Sequence, residues 1–135
     1  MFLLDTDILS NLVKKQSSRF LIEKLDETPH ECIFTSSINI SEIYYGAFKS
    51  PGRLGILSLY EEKVFPNLTI LSFDEKSARF FGEIKAKLEK KGKTKSDSDL
   101  RIAAITLQHR LILVTGNTKH FEDIPGLKVE SWIRY

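Results

Sequence analysis

Four short apolar runs, each closed by a polar residue and separated from the next by helical patterns, restrict the folds open to this chain. They are Phe2 to Leu4, Cys32 to Thr35, Thr69 to Leu71 and Leu111 to Val114. Each is brief and rich in aliphatic or β-branched side chains, the signature of a strand buried on both faces. Between them, Ile8, Leu9, Leu12 and Val13 suit a short amphipathic helix, and Phe20, Leu21, Ile22 and Leu25 suit a second. Ile40, Ile43, Tyr44 and Ala47 mark a helix over Ile38 to Phe48. Pro51 opens a helical pattern that Pro66 stops, predicting one helix from Pro51 to Phe65. Asp74 is placed to cap a long helix carrying Phe80, Phe81, Ile84 and Leu88 that Gly92 ends. A last helix is expected over Asp97 to His109, and an edge strand over Val129 to Ile133. Strands alternating with helices predict an α/β fold with a mainly parallel sheet flanked by helices.

A chain of 135 residues, 41% hydrophobic and 28% charged, is expected to form a single domain over 1–135 with its own core. The net charge of +2 does not by itself announce a nucleic-acid binder. Lys85, Lys87, Lys90, Lys91, Lys93 and Lys95 form a local basic run whose commoner explanation is a solvated helix face. A lone cysteine, Cys32, fits a reducing compartment, and Phe2 to Leu4 is too short for a signal h-region, so a cytoplasmic location is expected. No apolar run approaches bilayer length, so no membrane association is expected.

In a parallel sheet, ligand sites gather outside the carboxyl ends of the strands. Asp5 ends the first strand, Thr115 and Asn117 trail the fourth, and Glu42 and Asp99 fall in early turns of two helices. Each acid also has a structural role open to it. Asp5 suits an N-cap, Glu42 can pair with Asn39 in a capping-box arrangement, and Asp99 stands in the same relation to Ser96. Together, however, acids aimed at one strand edge repel unless a cation neutralises them. Hard Mg²⁺ or Mn²⁺ prefers such oxygen ligands and serves phosphodiester hydrolysis by activating water. Zinc is disfavoured because His30, His109 and His120 lack ligand spacing and Cys32 has no cysteine partner.

The segment Phe2-Leu3-Leu4-Asp5-Thr6-Asp7-Ile8-Leu9-Ser10 resembles the opening strand and first acid of the PIN-domain family, particularly its VapC branch. Ser41-Glu42-Ile43-Tyr44-Tyr45-Gly46 is similar to that family's second-acid helix, and Asp99-Leu100-Arg101-Ile102-Ala103-Ala104 to its third. Val114-Thr115-Gly116-Asn117-Thr118-Lys119-His120-Phe121 resembles the strand end and loop that follow, and Gly126 to Trp132 the closing strand. The resemblance implies a PIN-like fold and a Mg²⁺- or Mn²⁺-dependent endoribonuclease of a toxin-antitoxin pair. Carried over residue by residue, it implies that Asp5, Glu42 and Asp99 hold the metal directly or through water, with Thr6 and Thr115 positioning water or a carboxylate. It further implies a VapB-like antitoxin as partner, pairing of the chain with itself, and RNA as substrate, with tRNA a family-level option.

Two positions depart from the family pattern. Asp7 stands where Asn is commoner, which either adds a carboxylate to the site or caps the first helix. Asn117 lies where many PIN domains carry a fourth acid, leaving the number of metals open. Asp97 suits a solvent-facing first-turn acid better than a supplementary ligand. Lys49, Arg53, Lys93 and Lys95 are candidates for holding the RNA backbone, with solubility as their ordinary role. Tyr44 and Tyr45 could stack a base or meet an antitoxin side chain, although aromatic residues at helical spacing more often pack in a core. The rival readings are a catalytically weak PIN-like module binding RNA or a partner, and a haloacid-dehalogenase-like phosphatase using Asp5 and Asp7. The second lacks the Gly-Thr turn that family places after its acids, since Ile8-Leu9 follows here.

Overall fold

The computed structural model describes residues 1–133, the last two of the 135 lying outside that description. Five strands, β1 (Phe2–Leu4), β2 (Ile33–Ser36), β3 (Thr69–Leu71), β4 (Ile112–Val114) and β5 (Lys128–Glu130), form one sheet in the order β3-β2-β1-β4-β5. Every pairing is parallel, with Leu3 opposite Phe34 on one side and Leu113 on the other. The expected strands are therefore present, with β2 and β4 each beginning one residue later, β2 because Cys32 closes a 3-10 turn over His30–Cys32. The edge strand runs over Lys128–Glu130 and stops short of the expected Ile133.

Because strand side chains alternate, neighbouring residues feed two separate cores. Leu3 and Leu113 pack with Ile84, Leu88, Leu100, Ala103 and Phe121 on one face. Leu4 and Val114 pack with Ile8, Leu21, Ile43, Tyr60 and Trp132 on the other. The first face is covered by α5 (Glu75–Lys90) and α6 (Asp97–Gln108). The second is covered by α1 (Thr6–Leu12), α2 (Arg19–Glu27), α3 (Ser37–Lys49) and the segment after α3.

The helix expected from Pro51 to Phe65 is instead four short pieces. A 3-10 turn at Pro51–Arg53 leads into α4 (Leu54–Leu59), then a π-turn at Tyr60–Val64 and a 3-10 turn at Phe65–Asn67. Tyr60 and Val64 are both buried, as an i, i+4 pair would also be in a regular helix, so the apolar period alone does not distinguish the two. By contrast, α5 follows expectation at both ends. Asp74 accepts from the Ser77 backbone N–H and the Ser77 hydroxyl accepts from the Asp74 N–H, a reciprocal cap. Gly92, at φ 71°, takes the left-handed turn just beyond it.

The strand order places β1 in the centre, with β2 and β3 on one side and β4 and β5 on the other. The chain reverses its direction of travel across the sheet between β1 and β4, and a crevice opens there at the carboxyl ends. Asp5 and Thr115, the residues that follow these two strands, stand at its mouth.

Candidate acidic site at the sheet edge

Asp5 is 9% exposed and its backbone N–H is tied to the carbonyl of Val114, so the acid is held against the β4 end. Its Oδ1 accepts from the Thr6 N–H at 2.9 Å, the helix cap that the sequence allowed, and from the Asn39 side-chain amide at 2.9 Å. Its Oδ2 accepts from the Thr115 hydroxyl at 2.8 Å. Asp5 is thus both cap and cluster member, so neither reading excludes the other.

Two chains of hydrogen bonds run outward from it. In the first, the amide of Asn39 also donates to Thr6 Oγ1 at 3.0 Å, and the Thr6 hydroxyl donates to Glu42 Oε1 at 2.5 Å. The other oxygen of Glu42 accepts from Ser98 in the first turn of α6 at 3.0 Å. This arm joins β1, α3 and α6. In the second, Thr115 Oγ1 accepts from the Asn117 N–H at 3.1 Å, and the Asn117 side-chain nitrogen lies 3.1 Å from His120 Nδ1. His120 Nδ1 in turn lies 3.7 Å from Asp99 Oδ2. The three expected acids are therefore joined by two different routes, Asp5 to Glu42 through the Asn39–Thr6 link and Asp5 to Asp99 through Thr115, Asn117 and His120 of the loop after β4.

Electrostatics follow from this placement. Burial is the largest influence on Asp5 and pushes its pKa up to about 6, with further repulsion from Asp7 and Glu42 and partial relief from its Thr115 and Thr6 hydrogen bonds. Burial also raises Asp7, whose Oδ2 accepts from the Gly116 N–H at 2.8 Å. Among the described residues no lysine, arginine or histidine forms an ion pair with Asp5, Asp7 or Glu42. Nor, among them, do three His, Cys, Asp or Glu side chains form a ready-made metal-binding group.

The capping-box role considered for Glu42 is not what the structure shows. Ser36 caps α3 by accepting from the Asn39 N–H at 3.2 Å, which frees the Asn39 amide for Asp5 and Thr6 and leaves Glu42 to the two hydroxyls. Ser96 does cap α6, accepting from the Asp99 N–H at 3.1 Å. Asp97 pairs with Lys85 at 3.0 Å on the surface, as a solvent-facing acid would. Asn39, Ser98 and His120 were not legible as site residues, because each sits in a stretch that reads as ordinary capping or loop.

The expected basic contacts separate into two groups. Lys95 and Lys93 lie 2.7 and 3.5 Å from Asp123 oxygens, so their charge is partly neutralised, and Lys49 lies over the Tyr45 ring. Arg53, by contrast, lines a cavity of about 500 Å³ together with Lys14, Thr6, Ser10, Glu42 and Tyr60. Tyr44 leans on Glu61 and Tyr45 is exposed, so neither tyrosine is a buried core residue.

The PIN domain profile matches residues 2–127. The chain is 36% identical over 132 residues to the ribonuclease VapC2 of Haemophilus influenzae, covering 98% of each. It is 33% identical over 131 residues to the tRNA(fMet)-specific endonuclease VapC of Salmonella typhimurium, covering 97% of each. Among solved structures, it is similar to a chain of the DNA-bound VapBC complex of Salmonella typhimurium, with a TM-score of 0.88, 31% identity and 97% of each chain covered.

Proposed function

The chain belongs to the PIN-domain family, in its branch of VapC ribonucleases, and is an RNA-cleaving hydrolase; from that premise we propose that it works with a divalent metal at Asp5, Glu42 and Asp99. The observation that carries this is the buried Asp5, pushed up to about 6 by burial and by the neighbouring Asp7 and Glu42, with no ion pair to any of the three among the described residues. A donor set made of carboxylate and hydroxyl oxygens fits Mg²⁺ or Mn²⁺ and fits softer metals poorly. Since the acids do not form a ready-made group, Asp5 is the direct ligand in this reading, with Glu42 and Asp99 acting directly or through water. A bound ion would acidify its water to supply the nucleophile and would shield the charge of the scissile phosphate.

The remaining residues hold this arrangement. Thr115 fixes one oxygen of Asp5 and Asn39 the other, so the carboxylate cannot turn away from the crevice. Thr6 and Ser98 hold both oxygens of Glu42, and Asn117 bridges Thr115 to His120 and, through it, to Asp99. Arg53 and Lys14 sit where an RNA backbone could be drawn along the cavity toward Glu42, a sequence-independent electrostatic contact. This favours Arg53 over Lys49, Lys93 and Lys95 as the substrate contact.

A VapB-like antitoxin is the proposed partner, since the related Salmonella typhimurium chain was solved as a VapBC complex. Self-pairing is proposed on the exposed Tyr45, Phe48, Leu54 and Leu59, whose apolar surface is unusual for a solvated face. The cytoplasm is the proposed location, and no helix among the described residues is long and apolar enough to cross a membrane. Membership of the PIN-domain family sets aside the haloacid-dehalogenase-like alternative.

The deciding experiment incubates purified protein with labelled tRNA and with a single-stranded oligonucleotide, in EDTA and after adding Mg²⁺ or Mn²⁺. Cleavage is expected only with metal, and Asp5→Ala and Asp99→Ala are expected to lose at least about 10³-fold while giving a native circular dichroism spectrum. Equal cleavage by wild type and both variants, or full activity in EDTA, would overturn the metal-centre reading.

A further inference from the structure

Asp7 is given no ligand role in the metal-centre reading above, yet its carboxylate is engaged with the backbone of the loop after β4. Its Oδ2 accepts from the Gly116 N–H at 2.8 Å, and its Oδ1 stands 3.5 Å from the Thr115 hydroxyl. That hydroxyl has one proton and lies closer to Asp5, at 2.8 Å, so it donates to Asp5, and Gly116 supplies the principal donor to Asp7. The space around Gly116 is fitted to this contact. A Cβ built there would lie 2.7 Å from Asp7 Oδ2 and 3.1 Å from Ile133 Cδ1. Any larger residue at 116 would therefore have to displace the carboxylate from its present position against the backbone.

Gly116 lies between the two residues that serve the site from this loop, Thr115 on Asp5 and Asn117 on the route to His120 and Asp99. We propose that Asp7 is a positioning residue for RNA cleavage, a latch from the first turn of α1 to the Gly116 backbone that holds Thr115 and Asn117 against the acidic centre. The latch has two halves, a carboxylate oxygen at 7 and a bare Cα at 116, and either can be removed separately. The inference rests on the reading of this crevice as the RNA-cleaving centre.

The test uses full-length protein, a fluorogenic RNA oligonucleotide and saturating Mn²⁺, with ¹H–¹⁵N spectra that need no activity. Asp7→Ala is expected to lower kcat about tenfold with KM within about twofold, because the reacting groups are displaced and the RNA-binding surface is untouched. Asp7→Asn keeps an oxygen for the Gly116 N–H and is expected to stay within about threefold of wild type. Gly116→Ala should match Asp7→Ala, and the double variant should be no worse than the poorer single one, since both break one contact. In the spectra, the Gly116, Thr115 and Asn117 amides should shift together in Asp7→Ala. Asp7→Asn as impaired as Asp7→Ala, an additive loss of about 100-fold in the double variant, or unshifted Thr115 and Asn117 amides would each overturn the latch. Failure of the wild type itself to cut RNA would instead overturn the reading of the crevice, and the amide shifts would still decide the latch.

Discussion

Asp5 and Asp74 make a natural comparison, because each follows a parallel strand and each caps the next helix by accepting a backbone N–H at 2.9 Å. Their acidities nevertheless move in opposite directions. Asp74, at the edge strand and in solvent, is lowered to about 2, first by the Ser77 N–H and then by the Gln108 amide. Asp5, beside the central strand, is raised to about 6, because its burial and its acidic neighbours outweigh similar donors. The cap motif is common to both, so it says nothing about chemistry. What separates a structural acid from a site acid here is the place of the strand in the sheet, which decides how much water reaches the carboxylate and which other elements converge on it.

The comparison can be broken most forcefully through stability. A folded-state pKa above the unfolded 3.8 means that the folded chain favours the protonated acid. Whatever stability Asp5 contributes is therefore fully present below about 3.8 and is lost as pH rises through about 6. At pH 7.5 without metal, the ionised Asp5 costs at most about 3 kcal/mol, so Asp5→Asn should raise the melting temperature while abolishing cleavage. The gain should vanish near pH 3.5. A variant less stable than wild type at pH 7.5, measured by thermal unfolding in EDTA, would show that the burial of Asp5 is not costly.

A smaller effect sharpens the same contrast. Protons and a divalent cation compete for Asp5, so the metal concentration needed for half-maximal binding should rise by up to about tenfold for each pH unit below about 6 and level off above pH 7. Titration of Mn²⁺ by electron paramagnetic resonance measures this directly. A binding constant independent of pH between 5 and 7 would place the cation elsewhere.

Much of the fold was readable because buried parallel strands must be continuously apolar, as Phe2-Leu3-Leu4 and Ile112-Leu113-Val114 are. The segment after Pro51 was misread because Leu54, Leu57, Ser58 and Glu61 keep a helical period whether the turn is α or π, and only packing chooses between them. The site was half legible. Asp5 betrays itself by closing an apolar run, whereas Asn39 shows nothing in sequence beyond a residue suited to a cap. Its role depends on Ser36 taking the cap instead, a competition settled by three-dimensional neighbours. The basic residues were hardest to read, since Lys95 and Arg53 look alike until Asp123 is found beside one and a cavity beside the other.

The smallest effect concerns Asp74. Its lowered acidity gives the opposite linkage to Asp5, with stability present above about 3.8 and lost as pH falls toward 2. Removing it leaves the N–H of the buried Ser77 without its side-chain acceptor and the Gln108 amide without a partner, the loss of one helix cap at an exposed aspartate. Asp74→Ala should accordingly lower the melting temperature at pH 7 by only a few degrees, with the difference shrinking toward pH 2 and with RNA cleavage unchanged. Loss of cleavage in this variant would mean that α5 communicates with the acidic centre through α6, against which it packs and whose Gln108 it binds, and the separation of the two aspartates into cap and site would fail.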